Sequence, residues 1–133
     1  MKIVLDTSAY CLCDAGNEFS LQMVEESSAL YLPVIVYGEL YYGFRYGSRF
    51  QENLKRLDRF LDEFQVELVT VSRQVARLFG DIYAALRNKG APIPTNDIWI
   101  AACCKAVGGT LLTADGHFRQ VDQIETRLIH MSG

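Results

Sequence analysis

Four acidic side chains of this sequence lie outside the amphipathic stretches whose solvated faces account for most of its carboxylates. They are Asp6, Glu39, Asp97 and Asp115. If they meet in space, like charges at close range raise one another's pKa values, and a hard divalent cation relieves that repulsion. Mg²⁺ and Mn²⁺ prefer carboxylate oxygen and water as ligands. Such a site suits phosphodiester hydrolysis, in which one ion activates water and a second stabilises the leaving oxygen.

Each acid also has a purely structural interpretation. Asp6 can be a turn or helix-capping residue, and Asp115 can cap a helix after the turn that contains it. Asp97 can favour a helix N-terminus through the helix dipole, which is worth about 0.3–1 kcal/mol. Glu39 is the hardest to explain in this way, because a carboxylate in an apolar, aromatic helix needs a partner.

The first strand positions the first acid. Lys2–Leu5 is a short, mostly apolar run typical of a buried strand in a parallel sheet. Asp6 then stands at the carboxyl end of the strand, where open α/β sheets bind ligands. Thr7 and Ser8 are predicted to cap a following helix through their side-chain oxygens. Ser8, like Thr113 before Asp115, is either such a cap or strand-end residue or a hydroxyl that orients the carboxylates.

Strand and helix patterns alternate along the rest of the chain. Further strands are predicted at 30–33, 66–70, 110–113 and 126–130. Helices are predicted at 9–13, 19–29, 34–46, 51–64 and 73–88, with a last one that carries Asp97, is capped by Thr95 or Asn96, and ends at Gly108-Gly109. This alternation predicts an α/β fold, a three-layer α/β/α sandwich around a mainly parallel central sheet.

The composition indicates a single globular domain over residues 1–133, with half of its residues hydrophobic. The net charge of -3 argues against a protein held to nucleic acid by a broad basic surface, though not against a nuclease whose site is built of carboxylates. The four cysteines lack zinc or redox spacing and are predicted to be buried apolar residues in a reducing cytosol. With no leader pattern and no apolar run near ~20 residues, we expect a cytoplasmic protein without a membrane span.

Four segments carry a resemblance to a known family: 4–9, 38–40, 96–102 and 112–115. In order and spacing they resemble the PIN domain, and they are most similar to the VapC toxins of type II toxin–antitoxin systems. The resemblance covers essentially the whole chain. It implies a PIN-like α/β/α sandwich and a Mg²⁺- or Mn²⁺-dependent endoribonuclease.

The resemblance also implies site residues and partners. It carries Asp6, Glu39, Asp97 and Asp115 over as the acidic, metal-binding catalytic site, with Ser8 and Thr113 at the hydroxyl positions near it. It implies an RNA substrate, a homodimer, and a VapB-like antitoxin protein whose tail covers the site in a toxin–antitoxin hetero-oligomer. The aromatic helix predicted at 34–46 and the helix after it are candidates for the antitoxin surface, although ordinary core packing explains their aromatic residues equally well.

Four other functions are alternatives to this one. A haloacid-dehalogenase-like phosphatase needs a second aspartate where this chain has Ser8. A nicotinamide-binding Rossmann domain needs a G-x-G-x-x-G motif after the first strand, and none follows it. A catalytically silent PIN-fold interaction module has little use for four special acids, and a PIN-like nuclease with a non-toxin role in RNA processing remains an alternative to the toxin.

Overall fold

The computed structural model describes residues Met1–His130. Within them lie five strands: β1 (Lys2–Leu5), β2 (Ala29–Pro33), β3 (Glu67–Val69), β4 (Thr110–Thr113) and β5 (Glu125–Leu128). The α-helices of the same residues are α1 (Thr7–Asp14), α2 (Glu18–Glu26), α3 (Val34–Tyr46), α4 (Phe50–Glu63), α5 (Arg73–Lys89) and α6 (Thr95–Val107). A short 3-10 helix, Gly116–Gln120, follows β4.

The five strands form one sheet in the order β3-β2-β1-β4-β5, and every neighbouring pair is parallel. With six helices flanking this sheet, the predicted three-layer α/β/α fold is confirmed. The chain runs outward from β1 to β2 and β3, then returns to β4 on the other side of β1. Such a reversal of strand order opens a crevice at the carboxyl ends of β1 and β4, which is where α/β sheets bind ligands.

The core consists of two clusters that meet along α6. Ile100 and Cys104 pack with the sheet and helices α1 to α4, while Ile98 and Cys103 pack with α5. The neighbouring cysteines therefore face different sides of α6, and both are buried, as predicted. Cys11 differs from the prediction because it is exposed on α1. The packing of α6 between these two clusters positions its first turn, which carries Asp97, at the crevice.

Two helix starts differ from the sequence predictions. Thr7 and Ser8 do not cap α1, because the helix begins immediately after β1 and Asp6 is its N-cap. Neither Thr95 nor Asn96 caps α6, which begins after Pro94 without a side-chain cap. Proline has a fixed φ suited to a helix start, and the Pro94 carbonyl accepts hydrogen bonds from the backbone N–H groups of Asp97 and Ile98.

Other predicted elements hold with shifted ends. Helix α5 begins after Ser72, whose side chain caps it, and Gly90 ends it in the left-handed conformation with φ of 71°. Helix α2 stops three residues before Ala29, because Ala29 already pairs with Lys2 in the sheet. The last strand is Glu125–Leu128 rather than 126–130. These shifts leave the crevice unchanged.

None of the helices in Met1–His130 is both long enough and apolar enough to cross a membrane.

Candidate active site at the carboxyl ends of β1 and β4

Asp6 is buried, with 4% of its surface exposed, at the junction of β1 and α1. Its Oδ1 accepts hydrogen bonds from the Ala9 backbone N–H at 2.8 Å and from Ser8 Oγ at 2.7 Å. Its Oδ2 accepts a short hydrogen bond from Thr113 Oγ1. Burial raises the pKa of Asp6, and these three donors oppose that rise by favouring the ionised form. Asp6 is therefore a helix cap and a member of the acidic cluster at once.

Two hydroxyls tie Asp6 to the segment that carries Asp115. Thr113 Oγ1 accepts the Asp115 backbone N–H at 2.9 Å, and Ser8 Oγ accepts the Ala114 backbone N–H at 3.0 Å. Each hydroxyl has one proton, which it gives to Asp6, so its lone pairs remain for the backbone donors. The two hydroxyls thus hold the β4 end against Asp6 and fix the orientation of its carboxylate.

Asp115 caps the 3-10 helix, since its Oδ1 accepts the His117 backbone N–H at 2.9 Å. The same oxygen lies 3.0 Å from His117 Nδ1, and Asp97 Oδ2 lies 3.8 Å from that nitrogen. Asp115 is half-exposed, whereas only 16% of the Asp97 side chain is exposed. The cap interpretation is therefore correct for Asp115, but it does not explain why Asp97 from another helix lies so near.

Asp97, in the first turn of α6, has a strongly perturbed carboxyl group. Burial raises its pKa to about 6, and the charges of Asp115, Glu39 and Asp6 add to the rise while His117 opposes it. A helix N-terminus by itself favours an ionised carboxylate. The crowding of like charges and the burial outweigh that effect here, so the dipole interpretation alone does not account for Asp97.

Glu39 approaches from α3 and is half-buried rather than enclosed by apolar neighbours. Its Oε1 accepts a hydrogen bond from Thr7 Oγ1 at 2.8 Å, and its Oε2 accepts one from Asn96 Nδ2 at 3.5 Å. The partner that sequence reasoning demanded for this carboxylate is thus supplied by α1 and α6. Thr7 and Asn96 each stand next to another acid of the cluster, Asp6 and Asp97.

The tightest group of potential metal ligands in residues 1–130 is Asp97, Asp115 and His117, whose ligand atoms all lie within 4.8 Å of one another. Asp6 and Glu39 do not belong to this group, although both raise the pKa of Asp97. His117 was not singled out from the sequence. Its position two residues after Asp115 was the available signal, but a lone histidine in a turn carries little information.

The residues present fit a hard divalent cation. In the described part of the chain, no lysine or arginine forms an ion pair with any of the four carboxylates, and only His117 contacts two of them. The remaining donors are oxygens, which suit Mg²⁺ and Mn²⁺. A cation placed among them would favour the ionised form of Asp97, whose pKa is raised by burial and by the neighbouring acids.

Comparison with known proteins gives a family and several relatives. The family model described as PIN domain matches residues 3–124. A curated relative, Ribonuclease VapC2 of Rickettsia felis, is 29% identical over 94 residues, which is 71% of this chain and 69% of the relative. Ribonuclease VapC5 of Mycobacterium tuberculosis is 24% identical over 119 residues, which is 90% of this chain and 87% of that protein.

Among solved structures, a chain of VapBC2 from Rickettsia felis, bound to a DNA fragment from its promoter, superimposes with a TM-score of 0.86. The two chains are 22% identical, and the match covers 98% of this chain and 100% of that one. At this identity the likeness shows a shared fold.

Proposed function

Because the chain belongs to the PIN domain family, we propose that it is a Mg²⁺- or Mn²⁺-dependent endoribonuclease that hydrolyses RNA phosphodiester bonds. The observation that carries the proposal is the meeting of acids from separate segments at the crevice beside β1, without a lysine or arginine partner in the described residues. The two curated relatives, both named as VapC ribonucleases, support it.

In this proposal Asp6, Glu39, Asp97 and Asp115 hold the catalytic cation. When bound, the cation would supply the positive charge that lowers the pKa of water and stabilises the leaving oxygen of the phosphodiester. Asp6 is oriented for this role by Ser8 and Thr113. With three donors on a carboxylate that has about four acceptor positions, Asp6 keeps room for one more partner.

Glu39 comes to the site from α3, and Asp97 comes to it from the first turn of α6. Asn96 places its amide on Glu39 while the adjacent Asp97 faces Asp115, so one turn of α6 orients two of the four acids. Thr7, on α1, also orients Glu39 through the hydrogen bond that its hydroxyl donates to that carboxylate. Asp6, Glu39 and Asp115 are thus held by hydrogen bonds before any cation arrives, which reduces the reorganisation needed on binding.

We further propose that this nuclease is the toxin of a type II toxin–antitoxin pair, that it is a homodimer, and that a VapB-like antitoxin covers its site in a hetero-oligomer. The solved VapBC2 complex from Rickettsia felis, whose chain has a similar fold, supports this. So does an aromatic face on α3, which consists of Tyr41, Tyr42 and Tyr46 and is 42%, 68% and 84% exposed at these residues. Tyr42 lines the same opening as Glu39 and Asn96, so a protein on this face would reach the site.

The proposal also includes a single domain over residues 1–133 and a cytoplasmic location. One continuous sheet, with helices packed along the chain from α1 to α6, supports the single domain. The cysteines are all free, which suits a reducing compartment.

The experiment that tests the function is cleavage of total RNA by the purified, antitoxin-free protein in Mg²⁺, in Mn²⁺ and in chelator. Asp6→Asn and Asp97→Asn are compared with Asp81→Asn, which makes the same change at an exposed position on α5. We expect metal-dependent cutting by the wild type and the Asp81 variant, and a loss of about 100-fold or more in both site variants.

Two results would contradict the nuclease, and a third would contradict its role as a toxin. Undiminished cutting by a folded Asp97→Asn protein would remove that residue from the reaction. Absence of both cutting and divalent-ion binding would favour the silent interaction module instead. Cutting without growth arrest on expression would leave the nuclease and favour a role in RNA processing over the toxin.

A further inference from the structure

His117 contacts two of the carboxylates, yet the proposed reaction gives it no role. We propose that its imidazole is a nitrogen ligand of the divalent cation, shared with Asp97 and Asp115, and that it gives the site a preference for transition-metal ions over Mg²⁺. This inference rests on the proposed function, since it concerns the cation of the same site.

The distances among the three side chains suit a common ion. Ligands that lie about 2.1 Å from an octahedral ion are about 3 Å apart when adjacent and about 4.2 Å apart when opposite. His117 Nδ1 lies 3.0 Å from Asp115 Oδ1 and 3.8 Å from Asp97 Oδ2. All three ligand atoms lie within 4.8 Å of one another. Small side-chain rotations therefore bring them to one ion without backbone movement.

The backbone of His117 is held in place while more than half of its side chain is exposed to solvent. Its N–H donates to Asp115 Oδ1 at 2.9 Å, and the next residue, Phe118, is buried in the core with 1% of its surface exposed. The His117 side chain itself is 57% exposed. An anchored backbone with an exposed imidazole leaves the ring space to turn toward an ion that enters the site.

The contact with Asp97 separates a ligand from an ordinary turn histidine. The local turn explains why His117 lies near Asp115, which precedes it by two residues. It does not explain the approach to Asp97, which comes from the first turn of α6. Two acids on different segments thus face one ring nitrogen.

The ligand type then decides which ion is preferred. Carboxylates and water serve Mg²⁺ and Mn²⁺ alike, whereas imidazole suits transition-metal ions and is a poor ligand for Mg²⁺. A site with His117 as ligand should therefore bind Mn²⁺ more tightly than Mg²⁺ by a margin that narrows when the nitrogen is removed.

Pulsed electron paramagnetic resonance of the Mn²⁺-loaded protein tests the ligand directly. The chain has only two histidines, and the other, His130, packs on the ring of Phe19. We expect coupling to a directly bound nitrogen in the wild type and in the control His130→Gln. We expect no such coupling in His117→Gln.

Titration calorimetry adds the metal preference. His117→Gln should weaken Mn²⁺ binding by about tenfold or more and Mg²⁺ binding by less. His117→Asp replaces the nitrogen by oxygen, and so should bring the two affinities closer together while the protein still binds metal. Thermal melts of the metal-free variants check that each is folded.

Wild-type protein that binds Mn²⁺ without nitrogen coupling, or coupling that persists in His117→Gln, would overturn the inference. RNA cleavage by the same samples separates it from the proposed function. Cutting without nitrogen coupling would overturn the ligand and keep the nuclease, whereas nitrogen coupling without cutting would support the ligand and contradict the nuclease.

Discussion

At the scale of single residues, the crowded carboxylates of the site lower the free energy of unfolding when no cation is bound. Burial and three neighbouring acids raise the pKa of Asp97 to about 6. An acid whose pKa is higher in the folded state than in the unfolded chain loses stabilising effect as the pH rises. Asp97 therefore lowers the free energy of unfolding of the metal-free protein most at pH values above its folded pKa.

Asp97→Asn should accordingly stabilise the metal-free protein. The gain should be on the order of 1 kcal/mol in the free energy of unfolding near pH 8, because the variant has no buried charge to form. It should shrink as the pH falls through the folded pKa of about 6 toward the unfolded value of about 3.9, because Asp97 is protonated in both states only below that lower value. Urea unfolding in chelator measures it, with the exposed Asp81→Asn as control. A variant less stable than the wild type near pH 8 would contradict this account of the site.

Thr113 offers a test of the hydroxyls that orient Asp6. Thr113→Val leaves Asp6 Oδ2 and the Asp115 N–H without their partner, at a cost of about 1–3 kcal/mol in unfolding free energy. Thr113→Ser keeps the hydroxyl and loses one methyl group, worth about 1 kcal/mol. Calorimetry should show Mn²⁺ affinity reduced by about 10-fold or more in the valine variant only. Equal loss of affinity in both variants would mean that packing, not the hydroxyl, matters.

The four acids could be predicted from sequence because each stands at a local landmark, a strand end, a proline turn or an aromatic helix. Their partners could not. Thr7 and Glu39 are separated by 32 positions, and Asn96 and Glu39 by 57, so these hydrogen bonds depend on how α1 and α6 pack against α3. The same holds for His117, whose relation to Asp97 exists only in the fold.

At the scale of elements, the start of β4 is set by how closely it passes β1. A Cβ added at Gly109 would lie 2.8 Å from Val4 Cγ2, and Val4 is fully buried. Strand β4 ends at Thr113 and Asp115 follows, so a displaced β4 start would be transmitted to the site.

Gly109→Ala should therefore lower the free energy of unfolding by about 1–3 kcal/mol through overpacking. Gly80→Ala is the matched control, because a Cβ there, in the exposed middle of α5, meets nothing within 4 Å. That change should stabilise the helix by about 0.5–1 kcal/mol. Urea unfolding of both variants measures the difference. Equal effects at the two positions would contradict the close approach of β4 to β1.

Element boundaries follow the strength of the local signals. Helix α3 has its predicted bounds of 34 and 46, since Pro33 and Gly47 bracket it. The 3-10 helix Gly116–Gln120 was not predicted, because five residues are too few to show a period. The hydroxyl and amide caps predicted for α1 and α6 were wrong. Helix α1 begins immediately after a strand, and helix α6 begins after a proline.

At the scale of the whole molecule, alternation of strands and helices predicted a parallel sheet, but not which strand lies next to which. The observed order places β1 at the centre with β4 beside it, and this adjacency brings Asp6 and Asp115 together. Local patterns carry no record of that adjacency, since the two acids are separated by most of the chain.

The proposed homodimer is also a property of the whole molecule, and the aromatic face of α3 is a candidate protein-binding surface. Analytical ultracentrifugation of the antitoxin-free protein should give a mass of about 30 kDa, twice the 15.0 kDa of one chain. Large exposed aromatic side chains are typical of surfaces that bind protein. A mass of 15.0 kDa that persists at concentrations of about 10 μM or higher would contradict the homodimer.

The central claim, that acids from separate segments form one cation site, is tested most directly by anomalous diffraction from crystals soaked in Mn²⁺. We expect a peak about 2.2 Å from carboxylate oxygens of Asp97 and Asp115, on the side that faces Asp6 and Glu39. The peak should be absent from crystals of Asp97→Asn. Mn²⁺ bound only at other positions, or no peak in a protein that binds Mn²⁺ in solution, would contradict the account.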